Sequence, residues 1–308
     1  MRLRRGRGVA PMVHLGIKTA ALCVALVLPG HAAAQAICSA PHSSPSLAAS
    51  GEMRTLQRGQ GWIQLSVYGQ SATEWYDNLG DRRPFLADSQ FDTRSVFLTA
   101  AVGLADGLEV WAQMPRHHLN VDASSGSSTS TGLGDIRAAV RVGAELFGLD
   151  LPVALRVGAK VPGSDFPIDA TVLPLTEGQT DIEVSVESGA TLGALPLYVM
   201  GWVGYRRRGE NVEAARRPGA ERFAHLAFGG FAGDLTWEVA ADGLWGLSPL
   251  AQGILLTGER RRLIQLLPTV GYQVGPGRLE ATGQVPISGR VLPAALGMSV
   301  GYRVGWGI

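Results

Sequence analysis

The chain has 308 residues, of which only 17% are charged, and its formal net charge is +1. Soluble proteins average about 25% charged residues, and a nearly neutral balance gives no indication of a nucleic-acid partner. Residues 35–308 contain no apolar run of eighteen, which excludes a transmembrane helix there. Low charge without a spanning helix favours strands whose outer face meets lipid.

The first 34 residues have the pattern of a secretory signal peptide. Five basic residues precede or border an apolar core at 19–30, and small residues follow, offering cleavage after Ala34 or Ala36. Met12 is an alternative start that would give a signal of ordinary length. A retained anchor is the other interpretation, but the core is too short to span a bilayer. Removing five positive charges from a chain of net charge +1 leaves −4.

Residues 35–60 are rich in Ser, Ala and Pro and show no periodicity, which predicts a flexible periplasmic lead-in. A small plug that enters the barrel mouth is the alternative. Cys23 leaves with the signal peptide, so Cys38 remains alone and no intrachain disulfide can form.

Alternating polar and apolar residues fill the rest of the chain, 61–308, in segments of roughly ten residues, which is typical of membrane strands. A period of two places each apolar set on one side of a sheet. Twelve such segments occur, at 61–75, 94–104, 108–116, 133–146, 151–161, 179–191, 196–206, 221–230, 234–244, 262–273, 278–287 and 294–308. Pro268 and Pro286 fall inside two of them and predict a bulge or an early strand end, because proline cannot donate to the ladder.

The connections between these segments alternate in length. Short ones lie near 105–107, 147–150, 192–196, 231–233 and 274–277, and longer ones near 76–93, 117–132, 162–178, 207–220, 245–261 and 288–293. The pattern predicts an all-β fold: one antiparallel transmembrane β-barrel of about twelve strands, with short periplasmic turns and longer extracellular loops. The apolar alternation of 300–308 resembles the assembly signal of such barrels, although the chain ends on Ile308 rather than on an aromatic residue.

Charged residues on the polar face of three consecutive segments are the candidate site. Period-two spacing directs all of them into one lumen, and neighbouring strands bring them within pairing reach. A structural ladder of ion pairs and a polar pathway for a permeating molecule are both compatible with this arrangement. The candidate lumen-lining residues are Arg137, Arg141, Arg156, Lys160, Asp181, Glu183 and Glu187.

Aromatic residues concentrate near segment ends, where an amphipathic ring suits the lipid headgroups. Interfacial girdles are therefore predicted, and ligand stacking by a few of the rings is the alternative. The residues are Trp62, Trp75, Tyr76, Trp111, Tyr198, Trp202, Tyr205, Trp237, Trp245, Tyr272, Tyr302 and Trp306.

Catalytic chemistry finds little support. His117 and His118 adjoin a Ser-rich stretch at 124–130, which is the weak basis of an outer-membrane lipase hypothesis. No nucleophile-elbow motif occurs. No Cys, His or acidic spacing indicates a metal site, and the glycine-rich 132–135 opens a strand rather than a helix, so no cofactor is expected.

Four short motifs carry a family resemblance. They are LADGLEV at 104–110, GLGDIR at 132–137, VPGS at 161–164 and GQTDIE at 178–183. In this order the chain resembles, over residues 56–308, the outer-membrane meta-pathway phenol degradation family, which is related in architecture to channels for long-chain fatty acids and aromatic hydrocarbons. The resemblance implies a transporter of hydrophobic or aromatic compounds. The lead-in is shorter than the N-terminal plug of the fatty-acid channels, so their gating mechanism is not implied.

The sequence therefore predicts a non-enzymatic outer-membrane channel for passive uptake of a small hydrophobic or aromatic compound. A non-conducting structural or surface-interaction barrel is the alternative, and a lipase is the third possibility. The implied partners are outer-membrane lipids, the small permeant and the barrel-assembly machinery.

Overall fold

The computed structural model describes residues 54–85, 89–123, 126–167 and 172–307. The predicted signal peptide at 1–34, and the lead-in up to residue 53, lie outside these residues. No α-helix in the described part is long and apolar enough to cross a membrane.

Strands account for most of the described chain, with one 3-10 helix at Ala144–Phe147. The strands are β1 (Gly61–Ala72), β2 (Glu74–Tyr76), β3 (Arg82–Pro84), β4 (Gln90–Ala105), β5 (Leu108–Ala123), β6 (Gly126–Leu133), β7 (Ile136–Gly143), β8 (Val153–Val161), β9 (Asp181–Thr191), β10 (Leu197–Arg208), β11 (Arg216–Arg217), β12 (Glu221–Ala232), β13 (Leu235–Gly246), β14 (Leu250–Ala251), β15 (Ile254–Leu255), β16 (Arg262–Val274), β17 (Gly277–Arg290), β18 (Leu292–Ala294) and β19 (Gly297–Trp306).

Twelve antiparallel strands of the wall close into a barrel. We call each of these twelve positions a stave, because one of them is occupied by two successive strands. From β4 the order runs β1, β19, β17, β16, β13, β12, β10, β9, β8, β7 and β5, and β5 pairs with β4 to complete the ring. Both β6 and β7 pair with β5, so they are successive parts of one stave. The predicted class and the count of twelve are confirmed. Closure gives every stave a hydrogen-bonded neighbour on both sides and leaves no free edge.

The two faces of the wall have the reverse of a soluble protein's polarity. On β8 the apolar Leu155 and Val157 are 42% and 47% exposed, whereas the charged Arg156 and Lys160, at alternate positions of the same strand, are 5% and 4% exposed. The same alternation continues along its neighbours β7 and β9. Apolar side chains therefore cover the outside, where lipid lies, and polar groups fill the inside.

Short turns join the staves at the end where β1 begins and β19 ends. They comprise 106–107, 144–152, 192–196, 233–234 and 275–276. Gly107 has a φ of +83°, and a Cβ there would also lie 2.4 Å from the backbone nitrogen of Leu146. Glycine is required at this turn both for its left-handed backbone and for the close approach of the neighbouring 3-10 helix.

The other end carries six longer connections, as the sequence predicts, with one difference. The predicted loop at 117–132 is largely strand: β5 continues to Ala123 and pairs with β6 from Arg116 onward. The alternation persists there, since His117 and Leu119 are buried and His118 is exposed. Two three-stranded sheets, β18-β2-β3 and β11-β14-β15, order four of the other five connections at this rim; the connection between β8 and β9 belongs to neither.

The two prolines disturb the wall as predicted. The β16–β17 ladder runs from the pair Leu266–Val285 to the pair Thr269–Thr282 and is interrupted at Pro268, which pairs with Val239 of β13 on its other side. Next to Pro286 the register shifts by one residue, which is a β-bulge. Both effects follow from the missing backbone donor, and neither removes a stave.

Candidate functional site

Three of the seven predicted residues meet near the short-turn end in what we call the turn-side cluster, Glu109, Arg141, Arg156 and Glu187. Arg141 and Arg156 lie directly opposite each other on β7 and β8. Glu187 separates the two cations: its carboxylate lies 2.8 Å from Arg141 Nε and 2.9 Å from Arg156 Nε. Arg141 also donates to Glu109 at 2.7 Å. The side chains of all four are at most 6% exposed.

Three other predicted residues, Lys160, Asp181 and Glu183, belong to a second group nearer the long connections. This loop-side cluster comprises Asp135, Lys160, Glu177, Asp181, Glu183, Arg206, Arg208, Glu221 and Arg261. Arg208 contacts three carboxylates, with Asp181 at 3.0 Å, Glu221 at 2.9 Å, and Glu177. The seventh predicted residue, Arg137, is buried within electrostatic range of Glu183 and Asp135.

The two clusters are balanced in charge. The turn-side cluster has two cations and two anions, and the loop-side cluster together with Arg137 has five of each. Buried charges need such compensation because desolvation of an unpaired ion is costly. Six of the seven residues take part in ion pairs, and Arg137 is buried near Glu183 and Asp135, whereas the role of the seven as a substrate pathway stays a prediction.

The sequence prediction missed the partners that complete these clusters. Arg206 and Arg208 share the inner face of β10, but the predicted segment ended at 206, which left Arg208 outside. Glu221 begins β12. Its place in the period-two alternation of that strand was the only sequence feature that could have predicted its inward direction. Glu177 and Arg261 lie in long connections without periodicity, so no pattern could have assigned them to the interior.

The predicted aromatic girdles are correct only in part. Trp75, Tyr205, Trp245, Tyr272 and Trp306 are 37–45% exposed on the outside, as expected of interfacial rings. Five others are buried at 1–7% exposure and face inward or pack beneath the rim: Trp62, Tyr76, Trp111, Tyr198 and Trp202. Whether a ring faces lipid or the interior depends on its odd or even position in the strand, since alternate residues face opposite sides. Trp202 of β10 lies opposite Glu187 on the adjacent strand β9 and stacks on His225, with ring centroids 3.6 Å apart.

The described end of the lead-in packs against the short-turn mouth. Leu56 is buried with Trp62 and Trp111 in one apolar cluster. Its backbone N–H donates to Glu109 Oε2 at 3.0 Å, the oxygen that also accepts from Arg141. The N–H of Thr55 donates to Glu145. Thr55 and Leu56 thus cover polar groups and apolar surface that the mouth would otherwise expose, and the flexibility of the lead-in stays a prediction.

Replacement of Leu56 by aspartate should release this segment. The new carboxylate would enter an apolar cluster beside Glu109, and an unpaired buried charge is strongly disfavoured. We expect a higher single-channel conductance from L56D than from the wild-type barrel in planar bilayers. Gln57→Ala, which changes an exposed neighbour, serves as the control. Equal conductance of L56D and the wild type would mean that the segment is not what limits passage through the barrel.

The two histidines of the lipase hypothesis point to opposite faces of β5. His117 is buried, and its Nδ1 lies 2.7 Å from Ser95 Oγ. His118 is exposed and bonds to Thr131 Oγ1 at 2.7 Å. A side chain added at Gly134 would collide with Nε2 of His117, so that nitrogen packs against backbone. Among the described residues the two rings do not converge on a shared serine nucleophile.

A cavity of about 600 Å³ lies at the end of the barrel that carries the long connections. We call it the vestibule. Five of the connections at this end contribute to its wall, for example through Phe85, Phe166, Asn211, Leu247 and Val291, and the extended end of β5 contributes Leu119 and Val121. Pockets for small ligands commonly measure about 300–1,000 Å³, so the vestibule has the size of a site for one small organic molecule.

The floor of the vestibule is the loop-side cluster. Glu177, Arg208, Glu221 and Arg261 all line the cavity. Aromatic, leucine and proline side chains form a large part of the walls, and polar residues, among them the ion pair Arg216–Glu259, also line them. Arg208 and Glu221 form a buried ion pair, with side-chain exposures of 1% and 2%. Arg261 is 22% exposed. The vestibule therefore combines an apolar enclosure with a charged base.

Comparison with solved structures identifies the fold as that of outer-membrane β-barrels. An outer-membrane channel from Pseudomonas putida F1 superposes with a TM-score of 0.66 at 15% identity, covering 83% of this chain and 98% of the other. LpxR from Salmonella typhimurium gives 0.46 at 11% identity, with 79% and 99% covered. The β domain of the Bordetella autotransporter BrkA gives 0.46 at 15%, with 81% and 100% covered.

No protein-family model and no curated protein matches the sequence. The structural likeness therefore carries the fold alone, which is a closed outer-membrane barrel with transmembrane strands.

Proposed function

We propose that the barrel is an outer-membrane channel for passive uptake of a small, predominantly hydrophobic or aromatic compound. The vestibule is the observation that carries this proposal. Its apolar walls would take a hydrocarbon body out of water, and burial of apolar surface contributes about 25 cal/mol per Å². Its position among the long, extracellular connections suits capture of a compound from outside the cell.

Two similarities support the proposal. The neighbour from Pseudomonas putida F1 is described as an outer-membrane channel. The four motifs between residues 104 and 183 resemble a family with a transporter-like role in phenol degradation. The proposal also includes a route to the membrane. A Sec-type signal peptide would be removed on export, and the barrel-assembly machinery would insert the mature chain among outer-membrane lipids.

The second candidate is a non-conducting structural or surface-interaction barrel. The observation that favours it is the turn-side cluster, whose four side chains lie on adjoining staves at most 6% exposed, with the segment 54–60 bonded to Glu109. An interior packed in this way would have to rearrange before a solute could pass. In the channel proposal the structure corresponds to a closed resting state, and in the alternative the interior stays closed.

Substitution of the vestibule wall should separate the two candidates. We expect the double variant Phe85→Ser/Phe166→Ser to admit labelled benzyl alcohol about tenfold more slowly than the wild type. Tenfold corresponds to about 1.4 kcal/mol, a fraction of the roughly 1.5–3 kcal/mol per fully buried phenyl side chain, because both rings are only half-buried. The measurement is initial uptake by porin-deficient Gram-negative cells that produce equal amounts of each folded barrel. Arabinose, a polar solute of similar size, should be taken up equally by both.

Leu79→Ser is the matched control, since Leu79 is 71% exposed in a long connection and is outside the set of residues that line the vestibule. This variant should keep wild-type uptake. Uptake of benzyl alcohol no faster than in cells without the barrel would reject the channel and favour the structural candidate.

A further inference from the structure

Four arginines project from the outer face of the wall at the end that carries the long connections. Each lies within two residues of the end of its strand, and two exposed aromatic rings stand among them. One row of cross-strand pairs joins five of the six residues, from β10 through β12, β13 and β16 to β17. We call this group the rim belt, and its members are Arg207, Arg222, Arg262, Arg290, Tyr205 and Trp245.

The arginines of the rim belt have no carboxylate beside them. The strands β10, β12, β13, β16 and β17 are described throughout, and all their acidic residues lie at inward-facing positions: Glu221, Glu238, Asp242 and Glu280. No ion pair joins a described carboxylate to any of the four arginines, whose one hydrogen bond among the described residues runs from Arg262 to Ser288 Oγ at 2.8 Å. Their charge is therefore not neutralised within the described chain.

Two of these arginines repel each other. Arg262 and Arg290 occupy directly opposed positions on β16 and β17, where like charges are destabilising. Inside the barrel the equally opposed Arg141 and Arg156 have the carboxylate of Glu187 between them. The outer pair has no such anion among the described residues. A counter-charge for it has to come from the surroundings of the barrel.

The surroundings at this height are lipid headgroups. Tyr205 and Trp245 are 44% and 42% exposed on the outside, and such rings settle at the membrane–water interface. A Cβ on Gly243 would collide with the Trp245 ring, so the ring lies along the wall toward the apolar band, where Val203 and Leu226 are more than 60% exposed. The same five strands carry no outward-facing basic residue at the short-turn end. The arginines therefore meet one leaflet only.

We propose that the rim belt binds the phosphate groups of a glycolipid in the outer leaflet, the class to which lipopolysaccharide belongs. The inference rests on the proposed placement of the long connections outside the cell, and it holds whether or not the barrel conducts. Guanidinium groups bind phosphate oxygens in a bidentate manner. Arg222 and Arg262 lie on either side of Trp245, about 10 Å apart at a strand spacing of about 4.8 Å. That separation suits a headgroup with two phosphates.

Native mass spectrometry of the purified barrel in detergent, titrated with defined lipids, tests this assignment. We expect the wild type to bind diphosphoryl lipid A about tenfold more tightly than monophosphoryl lipid A, the effect of one additional charge-assisted contact. The double variant Arg262→Gln/Arg290→Gln should bind diphosphoryl lipid A about tenfold more weakly and lose the preference. Lysine at both positions keeps the charge without the bidentate geometry and should restore part of the affinity.

Arg94→Gln/Arg116→Gln is the matched control. These two arginines also face outward, on β4 and β5, but lie opposite His118 and Val96 rather than opposite each other. The control should keep wild-type affinity. Equal losses in the two glutamine variants would overturn the rim belt in favour of a general attraction between the lipid and outward-facing arginines. Heat-dependent gel mobility identifies correctly folded variants.

The wild type also tests the proposal without any substitution. Equal affinity for diphosphoryl lipid A and phosphatidylglycerol would overturn the choice of a glycolipid. Displacement of diphosphoryl lipid A by inorganic phosphate at equal concentration would show a site for the free ion instead. If lipid binding follows the expected pattern but cells take up no benzyl alcohol, the channel proposal fails and the rim belt stands. If uptake proceeds and the lipids bind equally, the channel stands and the rim belt fails.

Discussion

Replacement of Glu187 by alanine is expected to lower the free energy of unfolding by about 3–5 kcal/mol, the usual cost of removing one partner from a buried ion pair. Glu187 is fully buried and its carboxylate lies between Arg141 and Arg156, at 2.8 and 2.9 Å. Without it, two guanidinium groups on directly opposed positions of β7 and β8 would repel each other in a desolvated interior. Urea unfolding of the barrel in lipid vesicles, followed by tryptophan fluorescence, measures the change.

The control for this variant is Glu259→Ala, which removes the carboxylate of an exposed ion pair. Arg216 and Glu259 are 2.7 Å apart, with side chains 51% and 42% exposed. Exposed pairs contribute about 0–1 kcal/mol, so the expected loss is several-fold smaller. Equal losses for the two alanine variants would show that the turn-side cluster does not brace the wall.

Replacement of Val157 by arginine is expected to destabilise the barrel in lipid by about 2–4 kcal/mol, the range for arginine on the lipid face at the bilayer midplane. Val157 lies in the middle of β8 and is 47% exposed on the outside. Its neighbours on the adjoining staves, Val140 and Val184, face the same way. A guanidinium there would be placed in hydrocarbon with no partner. Equilibrium unfolding from phosphatidylcholine vesicles measures the effect.

Phe147→Arg is the matched control, because Phe147 is 72% exposed in the 3-10 helix beyond the strands. Near the membrane surface an arginine costs only about 0–1 kcal/mol. If both arginine variants were equally stable, the outer face of β8 would not be in contact with the lipid interior, and the assignment of the faces would be wrong.

The wall of the barrel could be predicted from the sequence because its signal is local. Each segment alternates with a period of two, so the parity of Arg156 and Lys160 against Leu155 and Val157 assigns both faces without any knowledge of neighbours. The alternation of short and long connections then gives an even number of strands and assigns the long connections to one end of the barrel. The same reasoning placed Pro268 and Pro286 at irregularities, since a missing N–H acts at the residue itself.

Other features depend on contacts that no local pattern contains. Trp202 and Trp245 are equally suitable for an interface by composition, yet one is buried against His225 and the other is exposed. Leu56 belongs to an aperiodic segment and becomes fixed only because Glu109 and two indole rings surround it. The predicted loop at 117–132 continued as strand because β6 was available to pair with it.

By itself, the sequence determined the fold class, the number of staves, the two faces of the wall and the inward direction of the charged rows. It did so because side-chain direction in a strand follows from residue parity alone. Only the tertiary structure decided which charges pair, how residues 54–60 meet the mouth, and that five connections and the end of β5 enclose a vestibule over the loop-side cluster. Those contacts join residues far apart in the chain, and the register across the closed barrel brings them together.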